Sequence, residues 1–346
     1  MKQPIMLRVC YALIPILIAG VYFFGWCALG LLLVCTAAGL VTEWLMASRQ
    51  GWPISMACIV TCFLYALSLP PTMPFWMAVV GIVVAILFGK MVFGGFGRNF
   101  ANPAIVGRAF VYVAFPKEMT GSFVPAFRGW PAGFARWSLA GMEKAPEWLA
   151  NAATRGADAM TSATPMMARR DFDFQTPASN LLFGNIGGTF EATDGTHVLA
   201  AGSAGEVCAV LIILAGVYLI ITRTANWRLM AGTLAGAVIA NFIFRYTGGA
   251  GGVPLLEFTL LSGALLYAAV FMVTDPISAP RKRPAKWIYG FIIGVLIILL
   301  RWKAQFAGGV AFAILLGNMI GPLLDLAAGA WAARRAAPQP EKALEG

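Results

Sequence analysis

The stretch VCYALIPILIAGVYFFGWCALGLLLVCTAAGLVT, residues 9–42, decides the fold class, because its 34 residues include no charged side chain. One crossing of a hydrocarbon core about 30 Å thick takes about 20 residues. The stretch is therefore too long for one transmembrane helix. It predicts two helices joined by a tight turn near Phe24, Gly25 and Trp26.

The whole chain has the composition of a polytopic membrane protein. Of its 346 residues, 60% are hydrophobic and 12% are charged, whereas soluble domains contain about 25% charged residues. Ten apolar segments can be counted, near residues 9–25, 27–47, 54–69, 75–93, 102–116, 204–222, 227–244, 254–273, 286–302 and 307–332. The sequence therefore predicts an all-α fold of about ten transmembrane helices.

Positively charged residues set the predicted orientation of these helices. Fifteen Lys and Arg residues, Lys90 and Arg108 among them, fall at the predicted cytoplasmic ends, whereas the short outer turns carry Arg245, Arg301 and Lys303. Cytoplasmic loops of membrane proteins are enriched in Lys and Arg. The placement of the basic residues thus indicates topology. With a net charge of +10, contact with membrane lipid is expected and a nucleic-acid partner is not.

The predicted domains follow from this topology. They are a first transmembrane half (1–116), a periplasmic loop (117–203), a second transmembrane half (204–333) and a cytoplasmic tail (334–346). Both termini are predicted to be cytoplasmic, in the inner membrane of a bacterial cell. The motif Leu-Tyr-Ala occurs at residues 64–66 and again at 266–268. Five crossings in each half would make the halves inverted repeats, as in many transporters.

The one long polar loop contains the run Asp158-Ala-Met-Thr161-Ser-Ala-Thr164. It resembles the D-x-x-[ST]-G-A-T signature at which FMN is esterified to threonine in subunits of the Rnf and Na+-pumping NADH:quinone reductase (Nqr) complexes. Ser162 stands where that signature has glycine. Taken alone, the run is also typical of an ordinary polar turn.

Further blocks resemble the Rnf D and Nqr B subunits and occur in the same order. They are the glycine- and asparagine-rich segment 94–110, the segments 66–71, 202–206 and 271–276, and the closing segment 311–325. The sequence Leu-Ser-Leu-Pro-Pro at 67–71 favours the Rnf D type. A stretch from Gly121 to Arg155 is inserted relative to the family.

The resemblance implies flavin cofactors. FMN would be bound through its phosphate to Thr164, with Asp158, Thr161 and Ala163 as the other residues of the signature. A second, non-covalent flavin, similar to riboflavin, would lie in the cytoplasmic half.

Asn99 and Asn102 are the residues predicted to lie beside this second flavin. Their amides would lie at membrane depth, where unsatisfied polar groups are costly and therefore usually line a cavity or bind a ligand. A polar helix cap explains the same residues equally well.

Four carboxylates within or at the ends of apolar segments are candidates for an ion pathway: Glu43, Glu206, Asp275 and Asp325. Charged groups at the centre of a bilayer are paired, protonated or functional. Glu206 could instead cap the sixth helix, and Asp275 could end the eighth.

For Glu43 and Asp325, the alternative is pairing with Arg49 and Arg334, which are near in sequence.

The resemblance implies a function within a complex. The chain would work with Rnf subunits of types A, B, C, E and G in electron transfer between NADH and ferredoxin coupled to Na+ or H+ translocation. A flavin transferase would attach the FMN. Two alternatives stay open: the Nqr B type with quinone as acceptor, and a flavin-free solute channel of urea-transporter type.

Overall fold

The computed structural model describes residues 4–127, 129–138, 162–186, 189–191, 197–247, 253–306 and 308–336. The first half contains α1 (Pro4–Phe24), α2 (Trp26–Arg49), α3 (Met56–Ser68), α4 (Phe75–Ile86, continued by a π-helical turn Leu87–Met91) and α5 (Pro103–Ala114). The central region contains α6 (Pro116–Gly121), a 3₁₀ turn (Ala132–Ala135), α7 (Pro165–Asp171) and α8 (Ala178–Phe183). The second half contains α9 (Ala209–Ile221), α10 (Trp227–Thr247), α11 (Leu256–Leu261), α12 (Leu265–Tyr267, continued by a π-helical turn Ala268–Met272), α13 (Arg283–Ile298, continued by a π-helical turn Leu299–Lys303) and α14 (Gly309–Ala336).

The helices confirm a polytopic membrane protein. By length and composition, α1, α2, α10, α13 and α14 can each cross a membrane. Shorter apolar helices are α3, α4, α5 and α9, and α11 is separated from α12 by a break at residues 262–264. A helix thus lies in each of the ten predicted apolar segments, while ten crossings stay a prediction. The tight turn near Gly25 is present between α1 and α2.

Small residues let α10 and α13 pack at close range. The two helices share their most extensive contact along Gly232-x-x-x-Gly236 and Gly290-x-x-x-Gly294. A methyl group at Gly232 would lie 2.9 Å from the carbonyl oxygen of Trp287, and one at Gly290 would lie 2.7 Å from that of Leu229. Membrane helices associate through such small-residue faces, because lipid supplies no hydrophobic drive between helices.

The central region is not only loop, and the prediction of a purely helical protein needs correction here. A four-stranded sheet forms from β1 (Val124–Pro125), β2 (Ser162–Ala163), β3 (Thr189–Glu191) and β4 (His197–Gly202). β4 pairs with each of the others, and it is parallel to β2 and antiparallel to β1 and β3. These strands are two to six residues long, too short for an alternating sequence pattern to reveal them.

The buried core runs through both halves and holds five of the six cysteines. Cys10, Cys27, Cys35, Cys58 and Cys62 are buried free thiols, and Cys208 is free and partly buried. This agrees with packing as small hydrophobic residues.

Candidate functional site

Thr164 lies where the small sheet meets a helix. Ala163, the last residue of β2, pairs with Ala200 of β4, and Pro165 then begins α7. The Thr164 hydroxyl accepts a hydrogen bond from the backbone nitrogen of Met167 at 3.4 Å and is partly exposed. The sheet and the helix cap together fix the position of this hydroxyl.

Thr164 lines a large cavity, the Thr164 cavity. It encloses about 1030 Å³ of space free of protein atoms, part of it open to the surroundings. Besides Thr164, its polar lining includes Arg108, Ser203, Glu206 and Arg301. The lining therefore offers hydrogen-bond donors and cations to a polar or anionic ligand beside the threonine.

Arg108 and Glu206 form an ion pair across this cavity. Their side chains are 3.5 Å apart, and both are partly buried. Two expectations from the sequence are wrong here. The carboxylate of Glu206 pairs with Arg108, and none of its hydrogen bonds among the described residues reaches the backbone of α9. Arg108 lies in the middle of α5, not at a cytoplasmic helix end.

Arg301 is a buried cation in the same lining. Its side chain is 7% exposed, and it lies in the π-helical turn at the end of α13. One guanidinium nitrogen donates to the carbonyl oxygen of Ser262 at 3.3 Å and lies 4.0 Å from the sulfur of Met166, two residues after Thr164. The sequence placed Arg301 at an outer turn and gave no sign that it would line this cavity.

Two further polar groups in the lining are without partners in the described part of the chain. Ser203 is 2% exposed and Trp302 is 8% exposed, and neither the serine hydroxyl nor the indole N–H has a hydrogen-bond partner there. Buried polar groups nearly always have a partner. Both residues line the Thr164 cavity, so a ligand with hydrogen-bond acceptors, such as the isoalloxazine ring, fits the residues present.

Part of the predicted signature lies outside the described residues. Asp158 and Thr161 belong to this part, and so does most of the insertion from Gly121 to Arg155. Ser162, the departure from the family signature, lies in β2 with Ala163.

Asn99 and Asn102 line a second cavity, the Asn102 cavity. It encloses about 670 Å³ free of protein atoms, and Asp275 also lies in its lining. The Asn99 amide donates to the carbonyl oxygen of Ala101 at 3.0 Å, and the Asn102 amide donates to that of Met272 at 3.3 Å. Asn102 also accepts from the backbone nitrogen of Ala104 and so caps α5. Asn102 thus combines both roles considered from the sequence, a helix cap and a cavity residue.

Lys90, Glu43 and Ser55 form a buried polar cluster beside the Asn102 cavity. The Lys90 ammonium lies 2.8 Å from the Glu43 carboxylate and 2.6 Å from the Ser55 hydroxyl. The other carboxylate oxygen of Glu43 accepts from the backbone and hydroxyl of Ser55 at 3.0 and 2.9 Å. Lys90 also lines the cavity and is 2% exposed, while Glu43 is 3% exposed. The partner of Glu43 is therefore Lys90, not Arg49.

The two remaining candidate carboxylates, Asp275 and Asp325, accept hydrogen bonds from backbone nitrogens. Asp275 accepts from the backbone nitrogen of Ile277 at 3.4 Å and from the Ser278 hydroxyl at 2.8 Å. Asp325 accepts from the backbone nitrogens of Arg281 and Lys282 at 2.8 and 2.9 Å. Asp325 thus fixes the turn before α13, a structural role that does not involve Arg334.

Residues at the start of α5 and within it line both cavities. Asn102, at the start of this helix, lines one, and Arg108 lines the other. Six residues of helix correspond to roughly 9 Å along the axis.

Comparison with known proteins gives consistent matches. The family model described as "NQR2, RnfD, RnfE family" matches residues 2–329. The D-type subunit of the ion-translocating oxidoreductase complex of Stutzerimonas stutzeri is 33% identical over 338 residues, which cover 93% of this chain and 89% of that protein.

The B-type subunits of Na(+)-translocating NADH-quinone reductases are also similar. The protein from Chromohalobacter salexigens is 33% identical over 298 residues, covering 85% of this chain and 63% of that protein. The one from Azotobacter vinelandii is 32% identical over 288 residues, covering 82% and 62%. The chain thus spans less than two thirds of the length of these B-type relatives.

Proposed function

Because the chain belongs to the NQR2, RnfD, RnfE family, we propose that it is the D-type membrane subunit of an ion-translocating oxidoreductase complex, with FMN bound covalently to Thr164. The observation that carries the proposal is the position of the Thr164 hydroxyl, partly exposed at a cavity whose buried polar groups are incompletely satisfied. The matched relatives are, by name, subunits of ion-translocating oxidoreductase or NADH-quinone reductase complexes.

Attachment at Thr164 requires a flavin nucleotide with an activated phosphate, supplied by a flavin transferase. The threonine oxygen would attack phosphorus, the bond to the leaving group would break, and the hydroxyl proton would depart with that group. Ester formation leaves the isoalloxazine ring free, and the ring supplies one- and two-electron transfer. The residues of the chain then hold the nucleotide, with Ser203 and Trp302 donating hydrogen bonds toward it.

A second flavin without phosphate, similar to riboflavin, is proposed for the Asn102 cavity. Asn99 and Asn102 would orient its polar edge. The short separation along α5 supports electron exchange between the two flavins. Further electron transfer would use partner subunits of types A, B, C, E and G, between NADH and ferredoxin, with coupled movement of Na+ or H+.

The proposed topology has ten crossings in two inverted halves, residues 1–116 and 204–333, with 117–203 on the periplasmic side and both ends, including 334–346, in the bacterial cytoplasm. Two features support related halves. α4 and α13, the fourth helices of their halves, both end in π-helical turns. Glu43 of α2 bonds Ser55 before α3, and Asn241 of α10 likewise bonds the carbonyl of Pro254 before α11 at 3.3 Å.

The ion pathway stays a proposal, and its four candidate carboxylates are not equally well supported. The buried pair of Glu43 and Lys90 and the carboxyl of Asp275 lie at the Asn102 cavity, which supports a role for them. Glu206 lies at the other cavity. The backbone contacts of Asp325 support a structural role better.

The decisive experiment uses the protein purified from its host and denatured on a gel. We expect the wild-type band to fluoresce under ultraviolet light and a Thr164→Ala variant to lose all of this fluorescence while still inserting in the membrane. Thr176→Ala, a change to a hydroxyl of the same central region but outside the signature, is the control and should keep it. Fluorescence that persists in Thr164→Ala contradicts attachment at this residue, and a dark wild-type band favours a flavin-free channel.

The Nqr B type is the second candidate, because relatives of both types match the chain at 33% identity. Electron-transfer assays on the purified complex distinguish the two candidates. Ferredoxin as electron partner supports the D-type assignment, and reduction of quinone by NADH supports the B type.

A further inference from the structure

Each of the two cavities is lined by one buried cation from a π-helical turn. Lys90 lies in the turn that ends α4 and lines the Asn102 cavity. Arg301 lies in the turn that ends α13 and lines the Thr164 cavity. Single π-helical turns inside helices occur frequently at functional sites.

The charge of Lys90 is neutralised within the protein. Glu43 lies 2.8 Å from its ammonium group, and Ser55 satisfies another of its protons. The Asn102 cavity therefore does not need an anionic ligand to balance this cation.

The charge of Arg301 is not neutralised in this way. None of the ion pairs among the described residues includes it. Its partners are the carbonyl oxygen of Ser262 and the sulfur of Met166. Glu206, the carboxylate in the same lining, is shared with Arg108, which lies 3.5 Å away. One carboxylate cannot neutralise two guanidinium groups.

A buried cation without a counter-charge is unfavourable, because water no longer solvates it and no anion replaces the water. An anionic ligand in the Thr164 cavity would remove this cost. An FMN esterified to threonine keeps one negative charge on its phosphate, whereas riboflavin has no phosphate and is neutral. The planar guanidinium group is well suited to phosphate oxygens.

We infer that Arg301 is the residue that selects and docks a phosphorylated flavin in the Thr164 cavity, and that the Glu43–Lys90 pair leaves the Asn102 cavity suited to a neutral flavin. The inference rests on the proposed function, since it assumes that Thr164 presents the nucleotide to this cavity. Arg301 acts as a positioning residue for the nucleotide and is not assigned a part in electron transfer.

The test measures binding of free FMN and free riboflavin to the assembled complex carrying Thr164→Ala, in which the cavity lacks a covalent ligand. Adding Arg301→Gln should weaken FMN binding about tenfold or more, the effect of losing one hydrogen bond to a charged group. Riboflavin binding should stay unchanged. Arg301→Lys, which keeps the charge, should retain most of the FMN affinity.

Lys303→Gln is the matched control, because Lys303 lies in the same turn and carries the same charge but is exposed. It should leave both affinities unchanged. Equal loss of FMN and riboflavin binding in Arg301→Gln, or no loss of FMN binding, would overturn the inference, as would a Thr164→Ala complex that binds no FMN. Absence of covalent flavin from the wild-type chain is a separate result, which removes the proposed function itself.

Discussion

The Thr164 cavity and the Asn102 cavity differ in how their buried polar groups are satisfied. At the Asn102 cavity, Lys90 is paired with Glu43, and both asparagine amides donate to backbone carbonyls. At the Thr164 cavity, Ser203 and Trp302 have no partner among the described residues, and Arg301 has no carboxylate of its own. The polar groups of the first cavity are satisfied within the protein, whereas the second cavity has polar groups that a ligand could satisfy. Its ligand should therefore contribute to the stability of the protein, since ligands that bind only the folded state stabilise it.

Among the variants that test this difference, those that break the Glu43–Lys90 pair should lose the most stability. Glu43→Gln leaves a buried ammonium group without its counter-charge, and we expect a loss of about 3–5 kcal/mol in the free energy of unfolding. Unfolding in mixed micelles, followed by tryptophan fluorescence, measures this loss.

The double variant Glu43→Gln/Lys90→Met serves as its control. It removes both charges and should recover most of the lost stability, because an apolar replacement of a buried pair is often tolerated. If the double variant is as unstable as Glu43→Gln alone, the ion pair is not the cause.

The two asparagines of the Asn102 cavity should separate helix capping from ligand binding. Asn102→Ala removes the cap of α5 and should cost about 1 kcal/mol in stability. Asn99→Ala removes no cap. Both variants should release the non-covalent flavin, measured by acid extraction and chromatography, while covalent fluorescence on the gel stays constant. Full retention of that flavin in both variants would show that the asparagines only shape the backbone.

Replacement of Ser203 should have the smallest effect on stability. It tests whether the Thr164 cavity contains a hydroxyl that lacks a hydrogen-bond partner until flavin is bound. In a Thr164→Ala background, Ser203→Ala should leave stability unchanged or raise it by up to about 1 kcal/mol, because a buried hydroxyl without a partner contributes nothing favourable. The same change in the flavin-bearing chain should lower stability. Thermal unfolding of the four variants compares the two backgrounds, and a loss in both would mean that the hydroxyl has a partner in the absence of flavin.

The helices could be predicted from local sequence, whereas the flavin role of Thr164 stays a prediction. The uncharged residues 9–42 did form two helices with a turn at Gly25, because hydrophobic length alone decides that a segment enters a membrane. Asn99 and Asn102 were predicted to act together, and they line one cavity. The break between α11 and α12 and the short strands were missed, since they depend on contacts with distant segments.

The locations and partners of the charged side chains were predicted less well than the helices. Lys90 and Arg108 were interpreted as cytoplasmic anchors, yet Lys90 is buried against Glu43 and Arg108 lies against Glu206. Counting charges for topology treats each Lys and Arg alike. It does not reveal which ones have a carboxylate within reach in the fold.

By itself, the sequence determined the membrane class and the positions of the helices, and it predicted a flavin signature at Thr164. Only the tertiary structure decided which cation faces which cavity, because those contacts join residues far apart in the chain. Lys90 and Glu43 are 47 positions apart, and Arg301 and Met166 are 135 positions apart. The free energy of a buried charge depends on its neighbours in space, and the packing of α2 on α4, and of α13 against the segment after Thr164, supplies those neighbours.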